Sequence, residues 1–150
     1  MDITSELEKG DYWLDAFLPY LLYRVTMKSN AMMLATVRRQ GINPSQWRVL
    51  AVLKSYGTLS MSAIGELTCM EQPTISRIIS QLEETDHVAR RLSAADARVA
   101  EISLTARGEG TFKKIVPAAL RHQERAVDGL SRKELAELVK LLSKIEHNIM

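Results

Sequence analysis

Two short apolar-periodic segments joined by a tight turn constrain the fold of this chain more than any other feature of its sequence. The first segment begins at Ser60 or Ser62, either of which can cap a helix, and the second begins at Gln72-Pro73, where proline suits a first helical turn. The turn between them starts with Thr68-Cys69-Met70. Two short helices joined in this way form a helix-turn-helix motif, which we therefore predict for this part of the chain.

Longer helices are predicted on the N-terminal side of this motif. Residues 20–40 contain neither glycine nor proline, and Gly41 suits the end of a helix because it tolerates a left-handed backbone. Pro19 either begins this helix or kinks it. The next helix begins at Asn43, whose side chain can form a capping box with Gln46.

Residues 88–104 differ from the rest of the chain because they favour strands. Two short β-compatible runs, at 88–92 and 99–104, are joined by small and polar residues, which predicts a hairpin. Thr105 can then cap another long helix. The expected fold class is mainly α with a small β-hairpin, and the helix-turn-helix and the hairpin together form one lobe over residues 43–104.

The last helix has the clearest start and the most regular apolar pattern. Ser131 and Glu134 form a capping box. Apolar residues then recur at heptad spacing, as in a coiled-coil seam, and they are Leu135, Leu138, Leu142, Ile145 and Ile149. This seam packs either on its own subunit or against a second copy of the chain. Because apolar helices lie at both ends of a small domain, we favour a homodimer formed through residues 12–40 and 105–150 of a single 1–150 unit.

Charge is distributed unevenly along the chain, although the formal net charge is only +2. Residues 1–15 contain five acids and one base, whereas residues 16–65 contain six bases and no acid. A polyanion would therefore be bound by a local group of arginines and not by a uniformly basic surface.

Several classes of protein are disfavoured by the sequence. No apolar run approaches the ~20 residues that span a bilayer, no signal peptide is recognisable, and Cys69 is the single cysteine of the sequence. We therefore expect a cytoplasmic protein with no membrane partner. His87, His122 and His147 are too dispersed for a helical zinc site, and no phosphate loop or catalytic triad order is present. We expect neither an enzyme nor a cofactor.

Three stretches of the sequence carry a recognisable pattern. Gln46-Trp47-Arg48-Val49-Leu50 lies in the second long helix, residues 74–83 lie in the second helix of the helix-turn-helix, and Asp96-Ala97-Arg98 precedes Leu104-Thr105 by five residues. In this order they resemble the second helix, the recognition helix and the wing signature of the MarR family of winged helix-turn-helix transcriptional regulators. The resemblance covers nearly the whole chain, but Ala97 stands where the family often has a basic residue.

The resemblance implies a homodimeric transcriptional regulator, a repressor, that binds double-stranded DNA at a pseudo-palindromic operator. A recognition helix places its N-terminal residues on base edges in the major groove, and a wing arginine suits a narrow minor groove. The candidate DNA-binding residues are Gln72, Pro73, Thr74, Ser76, Arg77, Arg90, Arg91 and Arg98. Asp96 orients Arg98 or ties the hairpin.

Three residues of this interface have alternative roles. Arg77 is expected to face outward, because isoleucines and a leucine occupy the core side of its helix, but it could instead form a solvated salt bridge. Glu71 either caps the helix or accepts a hydrogen bond from a cytosine amino group, and we favour the cap. If side chains alternate between the two faces of the strand, Arg90 and Arg91 cannot both face DNA.

A small aromatic or phenolic carboxylate is the effector that the resemblance implies. Tyr20, Arg24 and Met27 share one helical face within the acid-free stretch, so Arg24 could hold the carboxylate while Tyr20, Met27 and Trp47 form apolar walls. The alternative is that these apolar residues belong to the core and that Arg24 is an exposed or interface charge.

Two other functions remain open at this point. Cys69 lies in the helix-turn-helix turn, where oxidation would disturb the recognition helix, so the regulator could be redox-responsive. A lone cysteine in an apolar neighbourhood is, however, more often an inert packed residue. A winged helix could also serve protein association alone, and salt-dependent DNA binding would exclude that function.

Overall fold

A computed structural model describes residues 13–93 and 98–149, and these residues form helices α1–α7 and strands β1–β3. Mainly helical structure with one small sheet confirms the expected fold class. The elements, in chain order, are α1 (Trp13–Ala16), α2 (Leu18–Arg39), α3 (Pro44–Tyr56), β1 (Leu59–Ser60), α4 (Met61–Thr68), α5 (Gln72–Glu84), β2 (Val88–Leu92), β3 (Ala100–Leu104), α6 (Ala106–Ala126) and α7 (Arg132–Ile149).

The helices begin where local capping chemistry predicts. Pro19 lies in the first turn of α2 and begins this helix instead of kinking it. At α3, the side-chain oxygen of Asn43 accepts a hydrogen bond from the Gln46 N–H, and the Gln46 side chain accepts one from the Asn43 N–H, both at 2.9 Å. Ser60 caps α4 by accepting a hydrogen bond from Ala63 N–H at 3.2 Å. Each cap satisfies N–H groups that a helix leaves unpaired.

The sheet is antiparallel and has the order β1-β3-β2. The predicted hairpin is confirmed as β2 and β3, in which Val88 lies opposite Leu104 and Leu92 lies opposite Ala100. Strand β1 was not predicted, because two residues carry no recognisable alternation. Leu59 pairs with Ile102, so the hairpin is attached to the chain segment that precedes the helix-turn-helix.

One hydrophobic core joins the helix-turn-helix to α2, α3 and α6. Its buried residues are Met33, Val37, Ile42, Val49, Leu50, Leu53, Ile64, Ile75, Ile78, Ile79, Leu82, Val88, Ile102 and Ile115. Trp47 packs against this cluster and stacks on Phe112, with ring centroids 5.1 Å apart. Burial of apolar surface on this scale is the main force that holds the lobe together.

The first turn of α6 packs on residues 85–87, which form the turn between α5 and β2. We call this turn the His87 corner. Thr105, the N-cap of α6, donates its hydroxyl to the Asp86 carbonyl oxygen at 2.6 Å and its N–H to the His87 carbonyl oxygen at 3.2 Å. A Cβ placed on Gly108 would collide with the same His87 carbonyl. Glycine is required here because two backbones touch.

The imidazole of His87 is buried in this corner. Its Nδ1 lies 2.8 Å from the Thr85 hydroxyl, and this hydroxyl lies 2.9 Å from the Gln81 carbonyl oxygen. When the hydroxyl donates its one proton to Gln81, the Nδ1–H of the ring must be the donor to Thr85. Burial, and to a smaller degree the Arg107 guanidinium, lower the pKa of His87 below its ordinary value, although Asp86 and a hydrogen bond with the Thr85 backbone oppose this change.

We expect this lowered pKa to make the protein less stable in acid. The unfolded chain takes up a proton on His87 as the pH falls through the ordinary pKa of 6.5, whereas the folded protein resists protonation. The stabilisation is therefore complete above pH 6.5 and is lost progressively below it. Urea unfolding at a series of pH values should show a steeper loss of stability for the native protein than for His87→Asn.

The exposed His147 of α7 provides the control for this prediction. His147→Asn should lose stability in acid as steeply as the native protein does. Equal pH slopes for the native protein and His87→Asn would contradict the assignment to His87.

Helix α7 stands apart from the rest of the fold. None of its residues is buried, and no other element of residues 13–93 and 98–149 packs extensively against it. Its capping box forms as predicted, with the Ser131 N–H donating to the Glu134 carboxylate at 2.8 Å. Within the described chain Leu135 and Ile145 are half-buried and the other seam residues are exposed, so packing on its own subunit covers only part of the seam.

Candidate DNA-binding surface

Helix α5 buries one face and presents the other to solvent. Ile75, Ile78, Ile79 and Leu82 are buried in the core. On the opposite side Gln72, Pro73, Arg77 and Ser80 are exposed. The strong segregation of apolar from polar residues explains why the orientation of this helix could be predicted from its periodicity.

Arg77 has the properties expected of a DNA-reading side chain. It is exposed, and no carboxylate of the described residues forms an ion pair with it, so the salt-bridge alternative is not realised there. Ser80 lies one turn further along the same exposed face and was missed by the sequence analysis. Its spacing of three residues from Arg77 is the signal that could have found it.

The start of α5 corrects one expectation and qualifies another. Glu71 occupies the N-cap position, but its side chain makes no capping hydrogen bond, so the favoured role of this carboxylate is wrong. Thr74 and Ser76 are half-buried, which leaves them less accessible than Gln72 and Pro73. The first turn contains no acidic residue, but Pro73 has no N–H and the N–H groups of Thr74 and Ile75 donate to the Glu71 carbonyl oxygen, at 2.9 and 3.1 Å. This turn therefore leaves only the Gln72 N–H for a phosphate.

The two arginines of β2 lie on opposite faces of the hairpin, as the alternation requires. Arg90 lies opposite the buried Ile102, on the face toward α5, and its Nε is 3.4 Å from the Glu83 carboxylate. Arg91 lies opposite Glu101, on the other face. An exposed pair such as Arg90–Glu83 contributes only about 0–1 kcal/mol to stability.

The hairpin tip is only partly described. Arg98 is exposed and precedes β3. Asp96, which we expect to orient Arg98, lies outside the described residues. The described parts of the surface nevertheless combine the outward face of α5 with the exposed Arg91 and Arg98 of the adjoining hairpin.

Comparison with known proteins identifies this arrangement. A family model described as the MarR family matches residues 40–99. The transcriptional repressor MdtR of Bacillus subtilis is 27% identical over 124 residues, which cover 83% of this chain and 80% of MdtR. A MarR family transcriptional regulator from Silicibacter pomeroyi superposes with a TM-score of 0.86 at 28% identity, covering 92% of this chain and 93% of that one. These matches support a MarR family winged-helix regulator.

A second solved structure of the MarR family concerns control by a small molecule. BpsR of Bordetella bronchiseptica is 26% identical and superposes with a TM-score of 0.76, covering 86% of this chain and 98% of BpsR. Its structure describes regulation of DNA binding by 6-hydroxynicotinic acid. MarR-family proteins are transcription regulators and not enzymes, so the prediction of a regulator is confirmed.

The four candidate effector residues do not form one site within this chain. Arg24 forms an ion pair with Asp15 at 3.2 Å and lies over the Tyr20 ring, and Met27 is exposed. Trp47 is instead engaged with the core, and no hydrogen bond, ion pair or ring contact in the described residues joins it to the other three. The main grooves of the described chain are lined by none of them.

Cys69 is exposed, so the expectation of a packed cysteine is wrong. It is the C-cap of α4 and adopts a left-handed backbone with a φ of 53°. Cysteine rarely adopts a left-handed backbone, so the sequence provided no reason to expect Cys69 at the end of α4.

Two further expectations concern membranes and metals. No helix in residues 13–93 and 98–149 combines the length and apolar character needed to cross a membrane. Within the same described ranges, no cluster of three or more His, Cys, Asp or Glu side chains could hold a metal ion.

Proposed function

We propose that this MarR-family regulator is a repressor that binds a pseudo-palindromic operator as a homodimer. The observation that carries this proposal is Arg77, exposed and without an ion pair in the described chain, on the outward face of a helix whose first turn contains no acid. Such a helix fits the major groove, where arginine reads guanine through two hydrogen bonds. The similar MdtR is a transcriptional repressor, which supports repression and not activation as the function of this chain.

In this proposal the lobe of residues 43–104 forms the reading head. Gln72, Pro73, Thr74 and Ser76 approach the bases with Arg77, and Ser80 extends the contact along the same face. Arg91 and Arg98 approach the flanking backbone or minor groove, with Asp96 orienting Arg98. Arg90 contributes less, because Glu83 already holds its guanidinium.

Residues 12–40 and 105–150 form the dimerisation region in this proposal. Along α7, Leu138, Leu142 and Ile149 are 43%, 36% and 79% exposed, while Leu135 and Ile145 are half-buried. A row of apolar side chains at heptad spacing on an otherwise unpacked helix is typical of an interface between chains. Exposed Leu18, Leu22 and Val25 on α2 add to this surface.

A small aromatic anion is the effector class that we propose for release of DNA. The 6-hydroxynicotinic acid that regulates BpsR is an acid of this class, and BpsR shares this fold at 26% identity. Because Trp47 is separate from Tyr20, Arg24 and Met27 in one chain, the quartet could form a site only with a contribution from the second subunit.

Selection of binding sites from a random DNA library, followed by titration at several salt concentrations, tests the proposed function. We expect a palindromic consensus and an affinity that falls steeply as salt rises, because phosphate contacts release counterions. A protein that enriches no sequence and binds DNA weakly at all salt concentrations would instead be a protein-interaction module.

Substitution of Arg77 tests the reading surface directly. Arg77→Ala should weaken binding to the selected site by about 1–3 kcal/mol and relax the preference at one base pair, because a bidentate contact to a base is lost. The exposed Arg132 at the start of α7 provides a matched control, and Arg132→Ala should bind like the native protein. Unchanged affinity and sequence preference in Arg77→Ala would exclude this residue from base readout.

A further inference from the structure

A hydrogen bond between two glutamine side chains joins α3 to α5. The Gln46 Nε2 donates to the Gln81 Oε1 at 3.2 Å, and both residues are half-buried. Gln46 lies in the first turn of α3, whereas Gln81 lies in the second half of the helix that we propose to read DNA. A residue outside the reading helix therefore contacts a polar side chain on it.

The capping box of α3 determines which end of each amide faces the other. A backbone N–H can only donate, so the Gln46 oxygen must be the atom that accepts the Asn43 N–H, at 2.9 Å. The Gln46 nitrogen is then the end that faces Gln81, and because this nitrogen is a donor, Gln81 must present its oxygen. The Nε2 of Gln81 is thereby turned away from Gln46.

The Nε2 of Gln81 is an accessible donor. It makes no hydrogen bond to residues 13–93 and 98–149. Among the buried side-chain nitrogen and oxygen atoms of these residues, only the Nδ1 of His122 lacks a partner, so the Gln81 Nε2 is reached by solvent. Gln81 therefore offers N–H groups to a ligand, while its oxygen is already engaged.

Gln81 lies on one line of α5 with two residues of the proposed reading surface. Thr74, Arg77 and Gln81 are separated by three and four residues, so their side chains follow each other along the helix. The line spans about 10 Å, close to three base-pair steps of DNA. The next residue on it is the exposed Glu84, whose charge repels phosphate. Gln81 is thus the last residue of the line that suits DNA.

We propose that Gln81 contacts DNA as a hydrogen-bond donor only, and that Gln46 is the positioning residue that gives it this polarity. A glutamine with both ends free pairs with adenine, because it donates to N7 and accepts from the N6 amino group. Gln81 cannot do so, since its oxygen is turned to Gln46. Its N–H groups suit an acceptor oxygen instead, which guanine, thymine and phosphate provide. This inference deepens the proposed function and rests on it.

Selection of sites from a DNA library and titration with Gln81→Met test the contact. Methionine has nearly the length of glutamine but no N–H group, so affinity for the selected site should fall about 3- to 10-fold, the loss of one hydrogen bond. A relaxed preference at one base pair would identify a base oxygen as the acceptor, and an equal loss on all sequences would identify a phosphate. Gln123 is exposed on α6, and Gln123→Met should bind like the native protein. Native affinity in Gln81→Met would overturn the proposal.

Gln46→Glu tests the orientation of the Gln81 amide. A carboxylate at this position still accepts the Asn43 N–H, so the capping box is kept, but it presents Gln81 with an acceptor in place of a donor. The Gln81 amide must then turn, and its oxygen takes the place of its N–H groups. We expect Gln46→Glu to weaken binding to the selected site at least as much as Gln81→Met does. Where the acceptor is a base, selection with this variant should favour adenine or cytosine at that position, because their amino groups donate.

The two substitutions in combination separate this effect from the charge that Gln46→Glu adds. If Gln46 acts through Gln81, Gln46→Glu should weaken binding less in a Gln81→Met protein than in the native protein. An equal loss in both proteins would overturn the positioning role of Gln46. Urea unfolding of each variant verifies that it is folded.

Nuclear magnetic resonance of the native protein keeps the proposal falsifiable if a variant fails to fold. The side-chain NH₂ signals of Gln81 should move on addition of the selected DNA, while those of Gln123 stay in place. Unmoved Gln81 signals would overturn the proposal. A protein that selects no sequence would overturn the proposed function and this inference together, whereas a loss of affinity in Arg77→Ala but not in Gln81→Met would overturn this inference alone.

Discussion

Replacement of both Leu138 and Leu142 by aspartate is expected to leave a monomer that no longer binds operator DNA with measurable specificity. The two leucines lie on the heptad seam of α7 and are 43% and 36% exposed in the isolated chain. Two charges placed in an apolar interface would lack partners there, and such buried charges cost several kcal/mol. A palindromic site requires two linked reading heads, so loss of the dimer removes the second half of the contact. Sedimentation velocity and electrophoretic mobility shift measure the two effects.

The opposite face of α7 supplies the control for this prediction. Ser143 and His147 are exposed and lie away from the seam, so Ser143→Asp combined with His147→Asp adds two acids without entering the interface. This variant should remain a dimer with native affinity. A dimeric Leu138→Asp, Leu142→Asp protein would show that the interface lies elsewhere, and the exposed apolar residues of α2 would be the next surface to test.

Substitution of Gly108 by alanine is expected to lower the free energy of unfolding by about 3 kcal/mol or more, among the larger effects of a single methyl group. The added Cβ would collide with the His87 carbonyl oxygen, which is backbone and cannot rotate away. Relief requires the first turn of α6 to separate from the His87 corner. That movement also breaks the hydrogen bonds from Thr105 to Asp86 and His87. Urea unfolding followed by circular dichroism measures the loss.

Gly110 lies on the same helix and gives the opposite expectation. A Cβ at Gly110 would meet no atom within 4 Å. Gly110→Ala should therefore stabilise the protein by about 0.5–1 kcal/mol, because alanine loses less backbone freedom than glycine in a helix. If both alanine variants unfold alike, the close contact at Gly108 is not a feature of the folded protein in solution.

Much of the fold could be predicted because it depends on neighbours in sequence. The capping residues Asn43, Thr105 and Ser131 act on N–H groups three residues away, so their pattern is visible in the sequence itself. The outward orientation of Arg77 follows from the apolar period of its own helix. The orientation of a helix face is likewise a local property.

The features that were missed depend on distant parts of the chain meeting in space. The pairing of Leu59 with Ile102, the contact of Gly108 with His87, and the ion pair of Arg90 with Glu83 each join different elements. A groove lined by Arg39, Lys114 and Arg121 is likewise built from α2 and α6, which are far apart in sequence. Nothing in the local pattern of either helix shows that their cations face a common space.

The single residue between β3 and α6 makes the hairpin an extension of the long helix. Thr105 caps α6 and is also tied to the His87 corner, so the first turn of α6 is fixed to the reading head. With 21 residues, α6 is about 31 Å long. A tilt of about 5° around its far end therefore displaces the hairpin end by about 2.7 Å, close to the rise of one base pair along DNA. In a dimer, the angle between the two α6 helices would thus determine the distance between the two reading heads, and with it the operator spacings that the protein accepts.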